Sequence, residues 1–274
     1  METRFAESLL MVIEEGSIAA AARRQGLTAT ALAQRVQALE RSWDVALVER
    51  AGQTVRPTAA CQRLVPRLRR IVEDARLLSA DLDADGLSGP YRLGAISTAL
   101  TDHASRILQH LASHAPRSAL TIVPGGSRDL YSLLKAGELD AALMVRPPEG
   151  IPKALSVKEI ETQQYVLVGA HGEAASDSII VYDRMTWGGR LAWDYIQRKM
   201  SKAEIACEMD DPQVIAILAA SGLGRAVLPR WRGLAQVPGL SIAEIDSGPE
   251  RRIVLATNGR QSALDQLLLK VLVN

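Results

Sequence analysis

Ser17-Ile18-Ala19-Ala20-Ala21-Ala22-Arg23-Arg24-Gln25-Gly26 leads through Leu27-Thr28 into a second helical run that ends near Trp43. Ser17 and Thr28 each precede a helical run, where a hydroxyl can accept one of the orphan amide hydrogen bonds of the first turn. Gly26 stands where the first run must stop, because glycine adopts the left-handed conformation that ends helices. The small side chains from Ala19 to Ala22 let two helices approach closely. Two short helices joined by a glycine-containing turn of three or four residues make a helix-turn-helix. A wing follows, with strands Leu47–Arg50 and Thr54–Arg56 around a turn at Gly52-Gln53. Upstream, Phe5, Leu9, Val12 and Ile13 recur at helical spacing and predict a helix from about Arg4 to Glu15 that packs beneath the pair.

The charge agrees with a nucleic-acid reader. Between Ser17 and Arg70 there are ten arginines against three carboxylates (Glu40, Asp44, Glu49), a local charge of +7 in a chain whose total is +1. Every one of those cations is arginine, whose planar fork suits phosphates and base edges. A basic patch on a helix-turn-helix is the electrostatic footprint of a DNA-binding domain; a solvated basic face on a small helical domain is the alternative.

These residues also carry a family resemblance. Glu14-Glu15-Gly16-Ser17, Ala21-Ala22, Gln34-Arg35-Val36-Gln37-Ala38-Leu39-Glu40, Leu47-Val48-Glu49-Arg50 and Thr58 fall in the order and at the spacing of the winged helix-turn-helix of LysR-type transcriptional regulators. The chain departs from the pattern in the recognition helix. Thr28-Ala29-Thr30-Ala31-Leu32-Ala33-Gln34 stands where the family usually has Ser-Gln-Pro-Ala-Val-Ser-Arg, and Ala60-Cys61 where a glycine is usual. Fewer polar base contacts are therefore expected. Ser17, Thr28, Thr30, Gln34, Arg35, Arg50 and Arg56 are the candidate DNA contacts; the two wing arginines would bind phosphate or the minor groove, which gives affinity and salt dependence rather than sequence choice.

From Thr58 to about Asp85 a long helix is predicted. Cys61, Leu64, Leu68, Ile71, Ala75, Leu78 and Leu82 step by three and four residues, flanked by charges, as in a coiled-coil seam. Pro66 inside it removes a helix hydrogen bond and predicts a bend. The resemblance implies that this is a linker helix that dimerises, placing two reading heads on a two-fold-related site. Asp83 to Pro90 is a small acidic linker that marks a domain boundary.

Beyond it strands and helices alternate: strand Tyr91–Ile96, helix Ser97–His114, strand Leu120–Val123, a helix opened by Gly125-Gly126-Ser127, strand Ala141–Val145. That order implies a parallel sheet with right-handed crossovers. A second such set is predicted from Tyr165 to Ala220, and Ile253–Thr257 and Ser262–Val273 close the chain. Two α/β lobes joined by crossing strands resemble a periplasmic-binding-protein-like module. Arg92-Leu93-Gly94-Ala95, Gly137-Glu138-Leu139-Asp140-Ala141-Ala142, Gly222-Leu223-Gly224 and Leu228-Pro229 are similar to the effector-binding region of the same family. The expected organisation is a winged helix-turn-helix at 1–60, a linker helix at 61–88, and an effector module at 89–274. Its lobe I spans about 89–163 and 258–274, and its lobe II about 164–257. Few residues lie between Gly169 and Val181, where the family usually has more, so a short second lobe is expected.

In open α/β sheets ligands sit beyond the carboxyl ends of the strands. Ser97, Thr98 and Thr101 open one helix there, and Gly126 and Ser127 another; helix N-termini attract anions. The resemblance implies a small effector in the cleft between the lobes, against these termini. Met144 and Arg146, at the end of the third strand, are expected to line the same cleft, with Arg146 suited to a carboxylate. Ordinary helix capping for the two serines, and a surface ion pair for Arg146, are the alternatives.

Composition bounds the rest. Only 4% of residues are aromatic, so aliphatic and alanine side chains must build the core. Two distant cysteines, Cys61 and Cys207, offer no disulfide framework. No apolar run approaches the roughly 20 residues of a membrane span, and no secretory leader precedes the first helix, so a cytoplasmic location is expected. No catalytic constellation has a recognisable context, and His110 and His114 lack a third metal ligand. Neither enzyme activity, metal nor cofactor is expected. The sequence therefore points to a DNA-binding transcriptional regulator that responds to a small effector, with an organic anion as a candidate, and works as a homodimer or homotetramer. A ligand-binding or protein-interaction module with a weakened DNA-binding head is the alternative.

Overall fold

A computed structural model describes residues 2–52, 54–81, 85–171, 178–259 and 262–273, with the backbone alone at 73, 76, 77 and 79–81. Gln53 of the expected wing turn, Leu82 of the seam, residues 83–84 of the linker and most of the short stretch after Gly169 lie outside the described residues. Residues 1–90 and 136–138 form one unit; residues 91–135 and 139–274 form another.

In the first unit, helices α1 (Thr3–Glu15), α2 (Ile18–Arg24) and α3 (Ala29–Trp43) precede a hairpin of β1 (Val48–Ala51) and β2 (Thr54–Pro57), then α4 (Ala59–Asp81). The caps explain the boundaries. Ser17 Oγ accepts from Ala20 N at 3.4 Å and Thr28 Oγ1 from Ala31 N at 3.1 Å, and Gly26 takes φ +66° between the two helices. The wing is docked by Glu40, whose Oε1 accepts from Leu47 N at 2.8 Å and Val48 N at 3.2 Å. Leu9, Val12, Ala21, Ala22, Leu32, Val36, Leu39 and Leu47 form the core.

The stripe along α4 divides. Cys61, Leu68 and Val72 are buried in this same core, with Leu64 and Val65 packed against it. Ile71 and Leu78 remain exposed, at 39% and 63%. The amino-terminal half of the expected seam is thus intramolecular core: the stripe meets α1 before it can meet another chain.

In the second unit, β3 (Gly89–Ala95), α5 (Ser97–His114), β4 (Ser118–Pro124), α6 (Ser127–Ala136) and β5 (Ala141–Val145) come first. Next are β6 (Ser156–Ala170), β7 (Ile179–Tyr182), α7 (Trp187–Lys199), β8 (Ile205–Met209), α8 (Pro212–Ala220) and β9 (Ala226–Pro229). A 3-10 turn at Arg232–Gln236, β10 (Leu240–Glu244), β11 (Glu250–Thr257) and α9 (Ala263–Val273) follow. One sheet runs in the order β10-β6-β11-β5-β3-β4, with β9 also paired to β6. β3 and β5 are parallel, and β11 is antiparallel to both β5 and β6. β7 and β8 form a separate parallel pair.

Two strands begin well before the positions read from the sequence, and β10 is a strand that reading did not include. β6 begins at Ser156 rather than Tyr165, and β11 at Glu250 rather than Ile253. Both early halves are rich in charged and amide side chains, which resemble loop, yet they pair with each other from Ser156↔Thr257 to Gln164↔Glu250. Long β6 spans both lobes: Val166 and Val168 sit in the core of the second, with Ile180, Ile215, Ala216, Leu228 and Trp231.

Candidate functional site

A cavity of about 280 Å³ lies between the lobes of the second unit. From one side come Ile96, Ser97 and Thr98 at the start of α5, and Gly125, Gly126 and Ser127 at the start of α6. From the other come Tyr182 at the end of β7, Thr186 and Gly188 at the start of α7, and Asp210 and Asp211 before α8. Four helix starts thus converge. Gly188 keeps the floor open: a Cβ there would stand 3.1 Å from the Tyr182 hydroxyl and 3.3 Å from that of Tyr165.

The two lobe I helix starts are not equivalent. α5 has no side-chain cap, so the first-turn amides are not consumed by a capping oxygen, and Ser97 is half-buried at the cavity. At α6 the Ser127 hydroxyl turns inward and accepts from Val145 N at 3.1 Å; it is 7% exposed. Its role in the fold is to tie α6 to β5.

Behind Thr98 lies Arg251, on β11 and 1% exposed. Its Nη2 donates to Thr98 Oγ1 at 2.8 Å and its Nε to Gln163 Oε1 at 2.9 Å; its charge also opposes the rise that burial imposes on the Tyr182 hydroxyl. No carboxylate contacts the guanidinium among the described residues. Gln163 Nε2 donates to Glu161 Oε1 at 2.6 Å, and Glu161 faces buried His103 at 3.6 Å. The His103 contact, against the cost of burial, holds the Glu161 carboxyl below its usual range. Arg251 Nη1 has no hydrogen-bond partner among the described residues. A buried cation with an open donor beside a cavity is a ready anion contact.

Of the sequence candidates, Ser97, Thr98, Gly126 and Ser127 line the cavity together. Thr101 is a turn further along α5, exposed, donating to Ser97 O and accepting from Gln213 Nε2. Met144 is fully buried in β5, a central strand covered on both faces. Arg146 is exposed just beyond β5, its amide bonded to Arg252 O at 2.8 Å. Neither Met144 nor Arg146 lines the cavity: the first is enclosed in the sheet and the second is exposed beyond it. Sequence reasoning missed Arg251, Tyr182 and Asp210. The first lies in an apparent loop; Tyr182 ends β7 and Asp210 follows β8, where the carboxyl-end rule points.

In the first unit the candidate DNA contacts fall into two sets. Thr28, Thr30, Gln34, Arg50 and Arg56 are exposed. Ser17 is half-buried and caps α2. Arg35 is half-buried and its Nη1 donates to Ser8 Oγ at 3.2 Å; Ser8, fully buried, donates to Gln25 Oε1 at 2.8 Å. Arg35 therefore ties α3 to α1. In the wing Glu49 stands opposite Arg56, and Arg50 opposite Val55.

Among the described residues no group of three or more acidic, histidine or cysteine side chains could hold a metal, and no helix is long and apolar enough to cross a membrane.

Residues 4–62 match the family model described as bacterial regulatory helix-turn-helix protein, lysR family, and residues 84–273 match the LysR substrate binding domain. The chain is similar to the probable hydrogen peroxide-inducible genes activator of Mycobacterium leprae, 33% identical over 144 residues. That alignment covers 52% of this chain and 46% of that protein, less than half the relative's length. It is similar over more of its length to the HTH-type transcriptional regulator CbbR of Xanthobacter flavus, 27% identical over 279 residues, covering 91% of this chain and 79% of that one. Among solved structures, full-length CbnR in complex with its target DNA superposes with a TM-score of 0.70 over 99% of each chain at 17% identity, a likeness of fold.

Proposed function

We propose that this chain, which belongs to the LysR family of DNA-binding transcriptional regulators, couples a small effector held between two α/β lobes to the spacing of paired DNA-reading heads. The lobes are taken as residues 89–163 with 258–274, and 164–257. The head is residues 1–60 and the linker helix 61–88. The observation that carries the effector half is the buried Arg251 guanidinium, which has an unpartnered Nη1 and is bonded to Thr98 beside an uncapped helix start. An effector whose carboxylate is seated there would bridge α5 of one lobe and the helix starts of the other, and so favour one lobe arrangement over another. A ligand shifts an equilibrium only by its difference in affinity for the two states, and an effector that touches both lobes has such a difference.

Thr28, Thr30, Gln34, Arg50 and Arg56 are the DNA contacts of this reading, and Arg35 acts through the position of α3. The working form is a cytoplasmic homodimer or homotetramer without enzymatic activity. Two exposed hydrophobic side chains on α4, Ile71 and Leu78, support the pairing.

The test is binding of the purified protein to its own upstream DNA and to unrelated duplex across a salt series. Selective binding that weakens steeply with salt is expected. Equal, weak binding to both duplexes overturns the regulator reading. It favours instead a ligand-binding or protein-interaction module with a weakened head, a reading prompted by the exposed methyl group of Ala29 in the recognition helix.

A further inference from the structure

The cavity between the lobes has two walls of opposite character. One wall is cationic. It holds the uncapped start of α5, with Ser97 and Thr98, and behind it Arg251, 1% exposed and with Nη1 unpartnered. The guanidinium donates to Thr98, which lines the cavity, and so stands directly behind this wall.

The other wall is anionic. A Cβ built on Gly126 would lie 3.7 Å from Asp210 Oδ2 and 3.8 Å from Asp129 Oδ2, so two carboxylates on different lobes flank one point at the start of α6. Neither has a hydrogen bond or an ion pair among the described residues. The adjoining carboxylates are already engaged: Asp211 Oδ1 caps α8, accepting from Gln213 N at 2.9 Å, and Asp183 Oδ1 accepts from Met185 N at 2.8 Å. Asp210 is pushed up to about 6, first by desolvation and then by Asp183, Asp211 and Asp129. The α6 start, which would attract an anion by itself, already faces these two carboxylates. A ligand carrying negative charge alone would meet repulsion there.

We propose that the effector is zwitterionic: its carboxylate meets Arg251 and the start of α5, and its protonated amine lies between Asp210 and Asp129, as a small amino acid would present them. This rests on the cleft being the effector site. The volume, about 280 Å³, lies just under the usual range of about 300–1,000 Å³ for drug-sized ligand pockets, which suits a small compound. Like charges placed opposite one another discriminate strongly between partners, so Asp210 and Asp129 would exclude plain carboxylic acids while Arg251 would exclude plain amines.

The test uses the full chain, thermal shift and titration calorimetry, and the twenty L-amino acids. Each amino acid is paired with the carboxylic acid lacking its α-amino group and the amine lacking its carboxylate. At least one amino acid is expected to bind, with both of its truncated partners about tenfold or more weaker. Asp210→Asn is expected to weaken the amino acid by a similar factor and to leave the deaminated acid bound as well as before or better. If Asp210→Asn does not fold, Asp129→Asn and the wild-type comparison of matched pairs carry the same decision. Deaminated acids binding wild type as tightly as the amino acids overturn the zwitterion, as does binding by no amino acid in the panel. Binding that Thr98→Val and Arg251→Lys both leave untouched overturns the cleft reading itself.

Discussion

Arg251 Nη2 donates to Thr98 Oγ1 across 2.8 Å in a fully buried contact, joining β11 to the first turn of α5. The bond sets the geometry of the cavity wall: it fixes where the guanidinium lies relative to the helix start, and it satisfies one face of a charge that has no carboxylate against it among the described residues. Hydrogen bonds to charged groups are worth more than neutral ones, and removing one partner leaves the other desolvated and unpaired.

Thr98→Val keeps the shape and deletes the acceptor. The loss in unfolding free energy is expected to be roughly 1.5–3 kcal/mol, read from urea denaturation. Thr98→Ser, which keeps the oxygen and loses one methyl, should cost less than Thr98→Val. Equal losses in the two variants would show that the bond is not what holds this wall.

Much of this architecture was legible in the sequence because it is local. Caps at Ser17 and Thr28, the strand Ala141–Val145 and the parallel pair Ile179–Tyr182 and Ile205–Met209 are written in contiguous residues whose pattern matches their geometry. What was not legible depends on pairing across the chain. Glu250-Arg251-Arg252 has no apolar alternation, and it becomes strand only because Gln163 and its neighbours lie opposite. Arg146 follows an apolar strand and so reads as the anion contact, whereas the buried arginine, Arg251, lies on the neighbouring strand of the sheet. Ser127 shows the complementary limit: a hydroxyl at a helix start is visible in sequence, but its turn toward Val145 N depends on β5.

Asp210 gives stability a pH dependence of known sign. Its carboxyl titrates near pH 6 in the folded chain, against an ordinary value of 3.8. Because the folded value is the higher one, the native state gains protons first. Its stabilising contribution is complete below about pH 4 and disappears as pH rises through 6. Asp129, Asp183 and Asp211 are the neighbouring charges that set it. Without effector, Asp210→Asn should therefore be more stable than wild type at pH 7–8, with the gap closing as pH falls toward 4. A gap that widens on acidification would contradict the raised value. The side chain is exposed to the cavity, so solvent screening keeps the effect modest.

The wing arginines separate by their neighbours. Glu49 stands across the hairpin from Arg56 while Arg50 faces Val55, so Arg50 is the less compensated cation. Arg50→Ala is expected to weaken specific and non-specific duplex binding alike. It should reduce the slope of log affinity against log salt by about one, the signature of a phosphate contact. Gln34→Ala should instead lower the preference for the natural site with little change in slope. The reverse assignment of these two effects, in titrations over several salt concentrations, would mean that the recognition helix is not the reader.

Arg35 and Leu78 make contrary predictions about what the first unit needs from itself and from a partner. Arg35 is bonded to buried Ser8, so Arg35→Ala should lower the melting temperature of the chain at any protein concentration. Leu78 is 63% exposed on a helix whose earlier apolar positions are already core. With Ile71 seven residues before it, it forms the remaining apolar stripe, at the heptad spacing along which two helices pair. Leu78→Glu should leave the fold of the single chain unaltered, shift sedimentation toward monomer, and reduce affinity for a two-fold site more than for a half-site, since paired heads gain from effective concentration. A variant that still sediments as wild type would remove α4 from the interface.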